Sequence, residues 1–252
     1  MSLNAHGVSA AFGGIVALNE VAVTVLPGKV TAVIGPNGAG KSTLINCLTG
    51  MVEPTSGRIE VDGRDITGIS AHRRVHHGIT RSYQTPRVDP DGSVLEAVLV
   101  GLYSQSTSGL FASILRTPRF RREEARNHAV ALAMLERFGM RDLADVTVSD
   151  LPLWQLRMLE VARSMAAAPT YLLLDEPAAG LDEREQEVLA AAIQQVTGEG
   201  AGVLLIEHNF GFVRSLADQV VVLHMGEMLA EGTMAEIEKN PDVISIYLGA
   251  SA

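Results

Sequence analysis

The stretch Gly35-Pro36-Asn37-Gly38-Ala39-Gly40-Lys41-Ser42-Thr43 contains, over its first eight residues, the phosphate-binding spacing G-x-x-x-x-G-K-[ST] with no residue out of place. Glycines let a backbone fold closely around phosphates, so that its N–H groups and the positive end of a following helix meet the negative charge. Lys41 supplies a point charge for the β- and γ-phosphates, and Ser42 a hydroxyl for Mg²⁺. The chemistry is that of a nucleotide site. A second group stands far along the chain, where the run Tyr171-Leu172-Leu173-Leu174 ends in Asp175-Glu176. A rigid buried strand presenting carboxylates at its C-terminal end is what phosphate-loop hydrolysis requires. Asp175 would hold the Mg²⁺ shell, and Glu176 would take a proton from the attacking water.

Both groups need strands and helices to hold them. Val30–Ile34 is short, apolar and β-branched, as a buried strand should be, and Ser42–Leu48 reads as a helix closed by Gly50. Gly7 to Leu26 alternates through Val8, Ala10, Phe12, Val21, Val23 and Val25, which predicts antiparallel strands turned at Gly13-Gly14. Gly57–Val61 extends the same small sheet and turns at Asp62-Gly63. Ser70 is expected to cap a short helix whose Arg73, Arg74, His76 and His77 form a solvated face, before a short strand at 79–83. Ser93-Val94-Leu95-Glu96 has the spacing of a capping box and opens a helix toward Tyr103. Helical spacing returns from Phe120 to Phe138, so residues 93–165 form a helical insert, with a solvated arginine cluster at Arg116, Arg119, Arg121 and Arg122. Strands at Tyr171–Asp175 and Gly202–Ile206 flank a helix over 182–196, which implies a parallel sheet covered on both faces. Gln219–His224 and Glu227–Glu231 form a hairpin, followed by helices capped at Thr233 and near Pro241.

The chain has 252 residues, 47% of them hydrophobic, enough to bury a substantial core. Its formal net charge of -9 disfavours a nucleic-acid partner held through phosphate neutralisation. A single cysteine, Cys47, permits no internal disulfide and fits a reducing compartment, where it serves as a small apolar helix residue. Residues 1–6 have no charged n-region or apolar h-region, and no apolar run reaches the length of a membrane span. The expectation is a cytosolic chain that docks on a membrane protein.

Over essentially its whole length the chain resembles the ATP-binding cassette (ABC) family, through the loop at Gly35 to Thr43, the strand at Leu172 to Glu176, and further single residues. Gln84 resembles the glutamine that touches Mg²⁺ and faces the transmembrane partner. His208, after Leu204-Leu205-Ile206-Glu207, resembles the switch histidine on the γ-phosphate. Leu181 and Asp182 match the loop that meets the opposite subunit, and Phe12 stands where the family stacks an aromatic ring on adenine. The implied fold is α/β, a P-loop NTPase core with a mostly parallel sheet, an N-terminal antiparallel β subdomain and an inserted α-helical subdomain. The chain is then one ABC domain over 1–252, with a nucleotide-binding core at 1–92 and 166–252 and the helical subdomain at about 93–165.

Phe12-Gly13-Gly14, Asn46-Cys47-Leu48-Thr49-Gly50, the helical insert, and Asn240-Pro241-Asp242-Val243 with Tyr247-Leu248-Gly249 are similar to the branched-chain amino acid transporter subunits of that family. The resemblance implies ATP and Mg²⁺ as cofactors, transmembrane permease subunits as partners, a solute-binding protein acting indirectly, and a place on the cytoplasmic face of the membrane. Urea and lipopolysaccharide transport ATPases look similar, and a non-transport ATP switch is the alternative from another class. A guanine-nucleotide switch lacks its Asn-Lys-x-Asp motif here. One departure stands out: where the family has Leu-Ser-Gly-Gly-Gln, this chain has Leu151-Pro152-Leu153-Trp154-Gln155, followed by family-like Arg157, Leu159-Glu160, Ala162 and Arg163. The serine hydroxyl is replaced by a proline without a donor, and a glycine by bulky tryptophan. Because the family's signature acts on the facing subunit's ATP, the change implies a heterodimer with a second cassette that carries an intact signature.

Overall fold

The computed structural model describes residues 1–83, 88–103 and 118–249; for Tyr103, residues 118–121 and residues 248–249 it describes the backbone alone. A small antiparallel sheet comes first. Strands β1 (Leu3–Phe12) and β2 (Ile15–Val25) pair across the Gly13-Gly14 turn, and β1 also pairs with β4 (Ser56–Val61), which turns into β5 (Arg64–Asp65). The second sheet has six strands in the order β10-β9-β3-β8-β7-β6, formed by β3 (Val30–Ile34), β6 (Ile79–Arg81), β7 (Tyr171–Asp175), β8 (Gly202–Ile206), β9 (Gln219–His224) and β10 (Glu227–Gly232). Strands β9, β3, β8, β7 and β6 run parallel, and only β10 is antiparallel to its neighbour.

Strands β3, β7 and β8 are buried at every position. A parallel sheet covered on both faces demands this, which is why these strands read as continuous apolar runs. Alternate side chains leave on opposite faces. Leu172 and Leu174 of β7, with Val203 and Leu205 of β8, pack into the core shared with the helical insert. Leu173, Leu204 and Ile206 pack the other way, with Leu44, Ile45 and Leu48 of helix α1 (Lys41–Leu48) and the inner faces of β1 and β2. Cys47 is fully buried in that second core.

The insert comprises α3 (Val94–Tyr103), α4 (Pro118–Arg137) and α5 (Leu153–Ala166), each packed on the others. Ser93 and Glu96 form the expected capping box: the Ser93 N–H donates to Glu96 Oε2 at 2.8 Å and the Glu96 N–H to Ser93 Oγ at 3.2 Å. Further α-helices among the described residues are α6 (Glu183–Gly198), α7 (Phe210–Leu216), α8 (Met234–Ile237) and α9 (Pro241–Gly249). Of the arginine cluster, Arg116 lies outside the described residues.

The short helix α2 (Ala71–Arg74) corrects the sequence reading twice. Ser70 precedes it but makes no side-chain cap bond. Arg74 is not solvated; it is 1% exposed, and its guanidinium donates to the carbonyls of Cys47 and Leu48 at 2.7 Å each, of Thr67 at 2.8 Å and of Ile69 at 2.8 Å. Two of those carbonyls end α1, where orphan acceptors and the helix dipole favour a cation. Helical spacing shows charge but cannot show a neighbouring helix end. Replacing Arg74 by Met keeps much of the volume and removes every donor, so stability should fall by roughly 3 kcal/mol, the desolvation cost of several carbonyls left unpaired. Urea unfolding measures it; a loss below about 1 kcal/mol would mean that water replaces the arginine.

Candidate functional site

The carboxyl ends of three adjacent parallel strands meet: β3 delivers Gly35, β8 delivers Glu207-His208, and β7 delivers Asp175-Glu176. Register makes the meeting explicit, with Asp175 opposite Ile206 and Val33 opposite Ile206 on its other side. Ligands of open α/β sheets bind at this edge.

The loop from Gly35 is shaped by its glycines. At Gly40 φ is +103°, and a Cβ would stand 2.6 Å from the Ala17 carbonyl oxygen and 2.8 Å from Leu18 Cδ2. At Gly35 it would stand 2.2 Å from the Leu223 carbonyl oxygen. Gly40 is the N-cap of α1; no side chain caps the helix there, and its first turn holds no acidic residue. That end is fit to receive an anion. Lys41 is 6% exposed and donates to the carbonyls of Gly35 at 2.7 Å and Pro36 at 3.0 Å. Burial holds its ammonium below the ordinary lysine range, against the opposing pull of the Glu176 and Asp175 charges. Those two carboxylates therefore lie within electrostatic reach of the loop, although more than 130 residues separate them in sequence.

Asp175 is 6% exposed, and its Oδ2 accepts from Arg81 Nη2 at 2.7 Å. Glu176 follows with φ of +49°, a left-handed backbone for a residue with a Cβ, and its N–H donates to the Ile206 carbonyl at 2.9 Å. Asp182 caps α6, accepting from the Glu185 N–H at 2.9 Å, while Leu181 is buried in the core. His208 has a side chain 62% exposed, held at its backbone: Glu207 Oε2 accepts the His208 N–H at 3.2 Å, and Glu207 Oε1 accepts the Ala178 N–H at 2.8 Å. Glu207 is fully buried, and desolvation raises its carboxyl above the usual range against these hydrogen bonds. It staples the turn after Glu176 to the end of β8, where His208 follows.

Phe12 ends β1 opposite Ile15 and is 49% exposed, a surface ring and not a core one. Gln84 lies outside the described residues. Pro152 is the N-cap of α5, Leu151 is buried, Leu153 is 61% exposed, and Trp154 packs against the helical core. Sequence reasoning missed Arg81, Asn46 and Glu207. Glu207 had a signal, an acidic residue directly after a fully apolar strand, the pattern already read at Asp175. Arg81 and Asn46 had none: strand order brings Arg81 to Asp175, and the packing of α1 brings Asn46 to Arg81.

A glycine-rich loop at a helix start, facing paired carboxylates across a parallel sheet, defines a phosphate-loop nucleotide-binding protein. A family model described as ABC transporter matches residues 18–179, and a second, described as branched-chain amino acid ATP-binding cassette transporter, matches residues 227–252. The chain is 40% identical over 248 residues to the high-affinity branched-chain amino acid transport ATP-binding protein BraF of Pseudomonas aeruginosa, and 38% identical over 248 residues to LivG of Escherichia coli, a protein with the same description. Each match covers 98% of this chain and 97% of the relative. A solved ADP conformation of an ATP-binding cassette of an ABC transporter is similar in structure, with a TM-score of 0.84, 30% identity, and 99% of each chain covered. The chain belongs to the ABC transporter family, as an ABC ATPase. Among the described residues, no helix is long and apolar enough to cross a membrane.

Proposed function

We propose that this chain binds Mg-ATP at the edge formed by β3, β7 and β8 and hydrolyses it to drive an importer for branched-chain amino acids. The observation that carries the reading is the convergence of Lys41, Asp175, Glu176 and His208 on that edge, in a chain similar throughout to BraF and LivG. The α1 N-terminus and Lys41 hold the phosphates; to do so Lys41 leaves the Gly35 and Pro36 carbonyls for a stronger, anionic acceptor. Phe12 stacks on the adenine with its exposed ring.

The hydroxyl of Ser42, the carboxylate of Asp175 and the amide of Gln84 would hold the Mg²⁺. They are hard oxygen donors, as that ion prefers. Among the described residues no cluster of three His, Cys, Asp or Glu could cage a metal, which fits an ion held by few protein oxygens and the phosphates themselves. Bound there, the ion neutralises phosphate charge. Glu176 takes the proton of the attacking water, and His208 steadies the γ-phosphate as charge develops.

Two cassettes close on ATP and reopen after hydrolysis, moving permease subunits at the cytoplasmic face of the membrane; a solute-binding protein acts on the far side and no nucleic acid takes part. The exposed Asp182, following the core residue Leu181, meets the facing cassette, whose own ATP is reached by the segment Leu151, Pro152, Leu153, Trp154 and Gln155. Lys41→Ala should weaken ATP binding by about 10- to 100-fold, the worth of a charge-assisted contact. Fluorescent-nucleotide titration reads it, and an unchanged Kd would remove the loop from the reading. Copurification with a polytopic membrane protein distinguishes the importer from an ATP switch that works away from membranes.

A further inference from the structure

Arg81 ends β6 and lies between two elements of the site. Its Nη1 donates to Asn46 Oδ1 at 2.5 Å and its Nη2 to Asp175 Oδ2 at 2.7 Å. The two ion-pair side chains are 10% and 8% exposed. Its guanidinium carbon lies 5.1 Å from the centre of the Tyr83 ring, and its buried Nε has no hydrogen-bond partner among the described residues. The planar fork thus spends one arm on α1, five residues after Lys41, and the other on the strand end that carries Asp175. A lysine, with a single ammonium point, cannot reproduce that span.

We propose that Arg81 is a positioning residue: it sets the Asp175 carboxylate relative to the phosphate loop and so determines how tightly the divalent cation binds beside ATP. The proposal rests on the reading of Asp175 as a cation ligand. A buried carboxylate has rotational freedom and a large desolvation cost, and a charged donor on one oxygen removes the first and offsets the second. Groups that hold a ligating carboxylate in this way are worth about 10- to 100-fold in metal affinity or activity. The opposite effect also has a physical basis, because a guanidinium beside the carboxylate could compete with the cation. Arg81 is anchored to Asn46 as well, so it is built into the wall of the site and does not need to leave when the cation arrives.

The test uses the full chain with a non-hydrolysable ATP analogue and Mn²⁺ as the cation, its binding followed by electron paramagnetic resonance. Arg81→Ala should weaken Mn²⁺ binding about tenfold, while nucleotide binding measured in EDTA stays at the wild-type value. Arg81→Gln, which stays polar but is shorter, uncharged and without the fork that reaches Asn46 and Asp175, should show the same loss and carries the test should the alanine variant not fold. Arg81→Lys should fall between these and wild type. A purely structural role would lower the folded fraction and leave the Mn²⁺ midpoint of the folded protein where it was. Wild-type or tighter Mn²⁺ binding in a folded Arg81→Ala or Arg81→Gln protein overturns the proposal. Asp175→Asn separates the two levels: if it binds Mn²⁺ normally, the reading of Asp175 fails and the proposal with it; if it binds poorly while the arginine variants bind normally, only the proposal fails.

Discussion

Replacing Glu176 by glutamine is expected to leave ATP binding intact and to slow turnover by at least about 100-fold, the lower end of what a positioned general base contributes. The amide preserves side-chain shape and removes the group proposed to accept the water proton. The backbone at this residue makes the substitution clean. Its φ of +49° and its N–H bond to Ile206 are set by the β7–β8 pairing and the turn that Glu207 staples, and glutamine inherits them unchanged. A left-handed backbone costs a non-glycine residue about 1–2 kcal/mol, and such strain persists only where the surroundings over-determine it. ATP should therefore accumulate unhydrolysed, and the closed pair of cassettes should persist, visible as a nucleotide-dependent dimer on size exclusion. Steady-state hydrolysis in the assembled complex is the decisive measurement. Wild-type turnover in Glu176→Gln would take Glu176 out of the reaction.

The second large effect is expected between two sites of one assembly. On the proposed reading, the signature departure leaves the residues assigned to this chain's own ATP, Lys41, Asp175, Glu176 and His208, unaltered and changes what the chain offers to the partner's ATP. At the start of α5, Pro152 has no N–H and no hydroxyl, and α5 has no side-chain cap bond. Leu153, 61% exposed, is the apolar group presented there, while the bulky Trp154 packs against the helical core. Loss of one oriented donor to developing charge costs about 100-fold or more in rate. The site facing Pro152 should accordingly turn over on the order of 100-fold more slowly than the site built on Lys41, provided the remaining N–H groups of the first turn of α5 do not make up the loss. Glu176→Gln in this chain should then abolish most hydrolysis by the pair, while the same change in the partner should spare most of it. Near-equal effects of the two substitutions, or a homodimer of this chain as fast as the pair, would count against the asymmetry.

By itself the sequence determined the pieces whose chemistry is local. The loop Gly35–Thr43 carries its own fold in the types of nine adjacent residues, because glycine conformation and helix-start N–H groups are properties of neighbours in the chain. The buried strands Val30–Ile34, Tyr171–Asp175 and Gly202–Ile206 agree with their expected bounds residue for residue, since a parallel sheet covered on both faces makes nearly every position apolar and leaves no alternation to blur them. The capping box at Ser93-Glu96 was likewise readable from spacing.

Tertiary structure alone decided which of these pieces touch. Asp175 and Arg81 are 94 residues apart and become an ion pair because β6 lies next to β7 in the sheet. Arg74 looked like surface charge until α2 was laid across the end of α1, where two terminal carbonyls of that helix, with those of Thr67 and Ile69, take its guanidinium. Glu207 gained its role only when the turn after Glu176 came within reach of the strand next door. Motifs record what a residue does to its chain neighbours; strand order and helix packing, which place charges across long loops, decide what it does to everything else.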